Sequence, residues 1–304
     1  MASTGTKIRG RFAVVLVPYL WLVAFFLVPF LIVFRISLSD DVLAQPPYAP
    51  LFDWSAGLAG VPDFLAGLDF ENYVFVLSDS LYVQSYLQSV WIAALSTGIL
   101  MLIGFPIAYG MVRAPQSWRP LLLMLVILPF WTSFLIRVYA WMGILAREGL
   151  LNQALVALGV IDEPIEILAT NAAVVLGIVY SYLPFMVLPL YAALDRLDES
   201  LLEAAADLGA PPWKSFWLVT FPLARPGLIA GALLCFIPAV GEFVIPDLLG
   251  GSDTLMIGRT LWTEFFSNRS WSIAATIAVL LLIILVVPMA LYQNMQARSL
   301  DGNR

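Results

Sequence analysis

The chain has 304 residues, of which 61% are hydrophobic and 12% charged. Soluble domains run at about 45–50% apolar and about 25% charged, so the composition excludes a soluble fold and points to an all-α, polytopic membrane protein. There is no histidine and one cysteine, Cys235. This excludes histidine metal sites, His-based acid–base catalysis, an intrachain disulfide and a Cys-based zinc site.

A hydrocarbon core of ~30 Å takes about 20 apolar residues as helix. In chain order, six such stretches lie at about 12–34, 86–111, 120–145, 167–194, 226–249 and 271–297. The first follows Lys7, Arg9 and Arg11, as in a signal peptide. Its 23 residues exceed an h-region and no small-x-small site follows, so an uncleaved anchor is expected. With the N-terminus in the cytoplasm, Lys7, Arg9, Arg11, Arg113, Arg119, Arg196, Lys214, Arg225, Arg298 and Arg304 fall inside. Arg35, Arg137, Arg147, Arg259 and Arg269 fall on or near the outside. Ten against five sets this orientation, with both termini cytoplasmic. The acidic residues of the outer loops, from Asp40 to Asp79 and from Glu148 to Glu166, make the outer face acidic.

The first outer loop, roughly 36–85, opens on Pro46, Pro47, Pro50, Gly57, Gly60 and Pro62 and reads as irregular. The segments 68–73 and 80–82 alternate apolar and polar residues in a way that suits short interfacial helices. A loop of this length with its own aromatics is expected to be functional rather than a solvated connector. No duplicated half is visible, so an inverted-repeat transporter design is not evident.

The inner loop at 195–226 is the informative segment. Ser200 and Glu203 stand at capping-box spacing, so a helix is expected to start at Ser200. Gly209 stands where a left-handed glycine would end it. Pro211 and Pro212 open a second short helix bearing Trp213, Phe216, Trp217 and Val219, expected to end at Phe221-Pro222. An amphipathic hairpin lying on lipid is the competing reading, but its polar face would be basic, and here it is acidic.

Glu203-Ala204-Ala205, then Gly209, then Val219-x-Phe221-Pro222 resembles the EAA signature of ABC importer permeases, with Val219 and Phe221 as conservative departures. The run from Leu128 to Tyr139 looks like the polyamine (putrescine/spermidine) importer permeases, as do Leu158–Asp162 and Tyr182–Met186. Ala239–Pro246 followed by Leu248–Gly251 is most similar to the putrescine-type member. The likeness covers nearly the whole chain from residue 12 to about 290. It implies a type I ABC importer permease fold, formed by residues 1–304 as a single transmembrane permease domain in a bacterial inner membrane. It implies as partners two ATPase subunits, a second permease (a paralogue rather than a copy) and a periplasmic polyamine-binding protein, with membrane lipid around the bundle and no nucleic acid. Glu203, Ala204, Ala205, Asp207, Gly209 and Pro222 become the expected ATPase-coupling residues.

The chain has no G-x-x-x-x-G-K-[ST] loop, so it cannot cradle ATP phosphates itself, and the resemblance implies that no cofactor is bound by this chain and that ATP with its Mg belongs to the partner subunits. In the fifth span, Pro238, Gly241 and Pro246 predict a broken helix around Glu242, and broken helices are tolerated where they line cavities. An ionisable group in a span is a functional candidate. Glu242 lies 16 residues beyond Pro226 and Arg137 lies 17 beyond Pro120, which as straight helices puts both ~25 Å from the inner surface. Two readings follow: Glu242 marks the substrate pathway, or Glu242 and Arg137 form an ion pair. Asp247 is a candidate entry charge. Trp131, Tyr180 and Tyr182 could offer ring faces to an alkylammonium, or be interfacial and core aromatics. A related importer permease for iron or an oxyanion, or a self-contained secondary transporter, are the alternatives. An intramembrane enzyme is not expected, for want of histidine, of a paired catalytic carboxylate motif and of any nucleophile–base constellation.

Overall fold

The computed structural model describes residues 15–53, 55 and 57–301. Lys7, Arg9, Arg11 and Arg304, on which part of the orientation argument rests, lie outside the described residues. The chain forms two compact units, one of residues 1–83 with 261–304, the other of residues 84–260.

In the first unit, α1 (Val15–Ser37) is an apolar helix with a π turn at Val23–Leu27. The loop behind it, expected to be irregular, is folded. Strands β1 (Asp40–Asp41) and β2 (Tyr48–Ala49) pair antiparallel, and short helices α2 (Val61–Ala66) and α3 (Glu71–Ser78) follow. Polar side chains hold it down. Asn72 Nδ2 donates to the Ser39 carbonyl at 2.8 Å, the Tyr73 and Ser37 hydroxyls are 2.7 Å apart, and Arg35 donates to the Pro50 carbonyl at 2.7 Å. Burial pushes the Tyr73 phenol up from its ordinary value, only partly offset by Ser37. The interfacial helix expected at 68–73 therefore begins at Glu71, and Ser80–Tyr82 is not a separate helix but the start of α4 (Ser80–Arg113). The unit closes with the last two residues of α12 (Ile257–Trp262, its first four in the second unit), which carry into a π turn at Thr263–Asn268, and with α13 (Trp271–Asp301), which packs on α1.

The second unit holds the rest of α4, then α5 (Arg119–Ile127), α6 (Phe134–Leu145), α7 (Leu150–Ala157), α8 (Asn171–Leu194), α9 (Ser200–Asp207), α10 (Pro212–Val240) and α11 (Val244–Leu249). Thr170 caps α8 by accepting the Ala173 N–H at 3.2 Å. The main packing is α10 along α8. Met186 of α8 is fully buried there, close against Gly231, within a core of Leu100, Ala108, Val187, Leu190, Ala224 and Cys235. Small residues at such crossings let backbones approach where lipid supplies no hydrophobic drive.

Among the described residues, four helices are long and apolar enough to cross a membrane by themselves: α1, α4, α8 and α10. The third expected span is not one helix. α5 and a 3₁₀ turn at Leu128–Trp131 end at Thr132, and the chain resumes through α6 at 89°. Pro129 and the extended Thr132 and Ser133 interrupt the hydrogen-bond ladder there. The depth arithmetic for Arg137 fails for this reason, since the turn precedes it. In the sixth segment the apolar helix described is Trp271–Val286. Among the described residues the count is therefore four spans, or five if the bent pair is one, and the sixth expected span is represented by this shorter helix.

Candidate functional site

The loop at 195–226 forms as a helix, a bend and a second helix. At its start the expected capping box is replaced. Asp198 Oδ1 accepts the Ser200 N–H at 2.9 Å, and Ser200 makes no side-chain cap. That backbone bond, then the Ser200 hydroxyl, holds the Asp198 carboxyl below its ordinary value. At the other end Gly209 has φ +79°. Its N–H donates to the Ala206 carbonyl at 2.8 Å and that of Ala210 to the Ala205 carbonyl at 3.0 Å. This is a Schellman motif, which needs a left-handed residue at the glycine position.

The second helix does not stop at Phe221-Pro222. It opens at Pro212, widens into a π turn at Phe216–Thr220 and continues as the membrane helix to Val240. Pro222 falls in the first turn after the π segment, where the wider ladder accommodates its missing N–H. Phe216 roots the bend, with ring centroids 5.5 Å from Phe105 and 5.6 Å from Tyr109, both edge-on. Arg119 Nη1 pairs with Asp195 Oδ1 at 2.9 Å and ties the loop's start to α5. Glu203, Ala204 and Asp207 are exposed, Ala205 half-buried, and Leu208 is 89% exposed. Trp213, Trp217 and Leu218 are exposed as well. The bend therefore carries an exposed apolar surface, rooted by Phe216.

The predicted break in the fifth span is present. α10 ends at Val240, Gly241–Phe243 are non-helical, and α11 starts at Val244. Glu242 lies in this break and is 9% exposed. Tyr182 Oη donates to its Oε2 at 2.7 Å, and the Val244 and Ile245 N–H groups donate to Oε1 at 3.1 and 3.5 Å. The carboxylate thus takes over the first donors of α11. The break also lies against Gly258, where a Cβ would come within 2.4 Å of the Gly241 carbonyl oxygen and 2.6 Å of that of Glu242.

The structure does not join Arg137 to Glu242. The guanidinium stands 5.7 Å from the Phe130 ring and 5.8 Å from Phe134, and its Nε and Nη1 are buried without a partner. Tyr182, placed beforehand only as an aromatic candidate, is the partner of Glu242. No sequence signal linked two residues sixty positions apart. Asp247 is half exposed and pairs with Arg259 Nε at 3.3 Å. Trp131 is 71% exposed, and Tyr180 packs edge-on against Trp141 at 5.3 Å. Only Tyr182 of the three aromatics touches a carboxylate. Phe216, Arg119 and Gly258 were also missed, because their roles are long-range packing.

Residues 102–300 match the family of binding-protein-dependent transport system inner membrane components. The spermidine/putrescine transport system permease protein PotB of Haemophilus influenzae is 39% identical over 279 residues, 91% of this chain and 91% of that protein. Its namesake from Escherichia coli is 43% identical over 222 residues, covering 73% of this chain and 80% of that protein. The crystal structure of a bacterial ABC transporter that imports the acidic polysaccharide alginate has a membrane chain of the same fold, with TM-score 0.67 and 16% identity, covering 96% of each chain. The fold is that of ABC importer membrane subunits, and this chain belongs to the family of binding-protein-dependent transport system inner membrane components.

Proposed function

We propose that this chain is the permease subunit of an ATP-driven, binding-protein-dependent importer of polyamines of the putrescine/spermidine class. The observation that carries the reading is the bend at 200–220, an exposed apolar surface on a helix that runs without interruption to the break at Glu242. The names of its relatives support the solute class.

Two ATPase subunits, holding ATP and Mg, would seat this bend through Glu203, Ala204, Ala205, Asp207 and Gly209, an amphipathic helix in a groove. Their closure would push α9, the continuous α10 would carry the displacement past Pro222, and the bundle would rock as packed rigid elements. Reversing a strongly biased gate takes about 5 kcal/mol of differential interaction. A second permease, a paralogue, would complete the walls of the path, and a periplasmic binding protein would deliver solute. Both termini would lie on the cytoplasmic face of a bacterial inner membrane.

We place Glu242 and Asp247 along the path, with Tyr182 beside the first and Trp131 and Tyr180 as further ring faces. A carboxylate offers about four acceptor positions. Glu242 uses three, which leaves one for a passing ammonium and keeps its hold weak, as a conducting site requires. The test is uptake by the reconstituted complex with its binding protein. Saturable, ATP-dependent uptake of labelled putrescine or spermidine is expected. Uptake of sulfate or ferric iron instead, or uptake without any ATPase, would overturn the reading.

A further inference from the structure

A cleft of about 520 Å³ lies under α9. Tyr109, Val112 and Arg113 from the last turn of α4 line it, as do Leu194 at the end of α8 and Thr220 in the π turn of α10. Its charges are segregated. Arg119 is neutralised by Asp195. Arg113 stands on the α4 wall, 4.7 Å over the Tyr109 ring, with no ion pair among the described residues. Glu199 and Glu203, one helical turn apart, line the α9 wall and make none either. Thr220 is 2% exposed, and its buried hydroxyl has no hydrogen-bond partner. Val112, Leu197 and Leu202 supply an apolar lining.

We propose that this cleft holds the headgroup of one zwitterionic aminophospholipid of the inner leaflet. A simple anion would meet Arg113 but face two carboxylates. A simple cation would meet the carboxylates but leave Arg113 unanswered. A phosphate joined to a primary ammonium answers both walls. The ammonium has three N–H donors, enough for the Glu199 carboxylate and the Thr220 oxygen, whereas a choline has none. The cleft stands where the ends of α4 and α8 meet the loop, the level at which charged pockets between membrane helices take lipid headgroups. The bound headgroup braces α9 against α4, so the coupling bend transmits force only when it is occupied. The inference rests on reading this loop as cytoplasmic and is independent of which solute is carried.

The test uses the full complex. Native mass spectrometry after gentle delipidation is expected to show one retained phosphatidylethanolamine, lost in Glu199→Gln and in Thr220→Val. In proteoliposomes of equal anionic lipid content, replacing phosphatidylethanolamine by phosphatidylcholine is expected to slow ATP-coupled uptake about fivefold. The rate of Glu199→Gln should be the same in both lipids. Equal wild-type rates in the two lipids, retention of phosphatidylglycerol instead, or displacement of the lipid by millimolar putrescine would overturn the proposal. The wild-type comparisons need no variant. Failure of polyamine uptake in every lipid would count against the solute reading alone, because lipid retention is measured without transport.

Discussion

A carboxylate at the break of an apolar span must find donors, and Glu242 finds them within reach: one phenol and two N–H groups at the start of α11. Hydrogen bonds to a charged group are worth about 1.5–3 kcal/mol each. Tyr182→Phe should therefore lower the thermal midpoint of the detergent-solubilised chain, while Glu242→Gln, which keeps the shape, should cut polyamine uptake more than it cuts stability. Because Arg137 does not touch Glu242, the double change Glu242→Gln with Arg137→Gln should restore neither uptake nor stability. Recovery of both in that variant, measured against each single change, would reinstate the ion pair. At Gly209 a Cβ would meet nothing within 4 Å, so any cost of substitution is backbone strain alone. Gly209→Val should cost about 1–3 kcal/mol of local stability and uncouple ATP turnover from uptake. Gly209→Asn should retain most uptake, since asparagine tolerates the left-handed region better. Equal uptake by the valine variant and the unaltered protein would refute a need for this turn.

Among the elements, α9 depends on its first turn. Asp198 is held below the ordinary carboxyl value by the bond it accepts from Ser200. A lowered folded value stabilises the turn above the unfolded value, and that support is lost as pH falls through the lowered one. Hydrogen exchange should show the amides of Ser200 to Glu203 protected at neutral pH. That protection should weaken in Asp198→Ala and below the ordinary carboxyl range, and a pH-independent pattern would refute the cap. In the broken fifth span the loop is held by close backbone approach. Gly258→Ala should push the 241–242 carbonyls aside, costing about 1–3 kcal/mol, as overpacking does. Uptake should fall in a chain that still inserts, and an unchanged thermal midpoint with full uptake would show the contact to be dispensable.

For the molecule as a whole, the exposed apolar surface extends well beyond the bend at 200–220. Trp21, Phe25 and Phe26 on α1 and Trp91 and Leu87 on α4 are all exposed. In lipid such faces need no further partner, but the proposed function, in a chain with no duplicated half in its sequence, calls for a second permease to complete the path. Native mass spectrometry of the assembled complex should find two permease chains, this one and a paralogue. A functional complex with a single permease chain would refute the two-chain path.

Much of this architecture was legible in the linear chain because it rests on local rules. Apolar length located the helical segments, Gly209 marked its left-handed turn, and Pro238 with Gly241 marked the break. The EAA-like spacing lies within one loop, so no tertiary knowledge was needed to see it. The third span escaped because a straight-helix count cannot register the 89° turn after Trp131. The end of the second loop helix escaped because a π turn let the chain pass Pro222. The sequence by itself determined that the chain is a helical membrane component with a helix–bend–helix loop, since composition, periodicity and turn chemistry act over a few residues. Which charge pairs with which was decided only by the tertiary structure. Tyr182 reaches Glu242, Arg259 reaches Asp247 and Arg119 reaches Asp195 because helix packing sets distances that sequence separation does not encode.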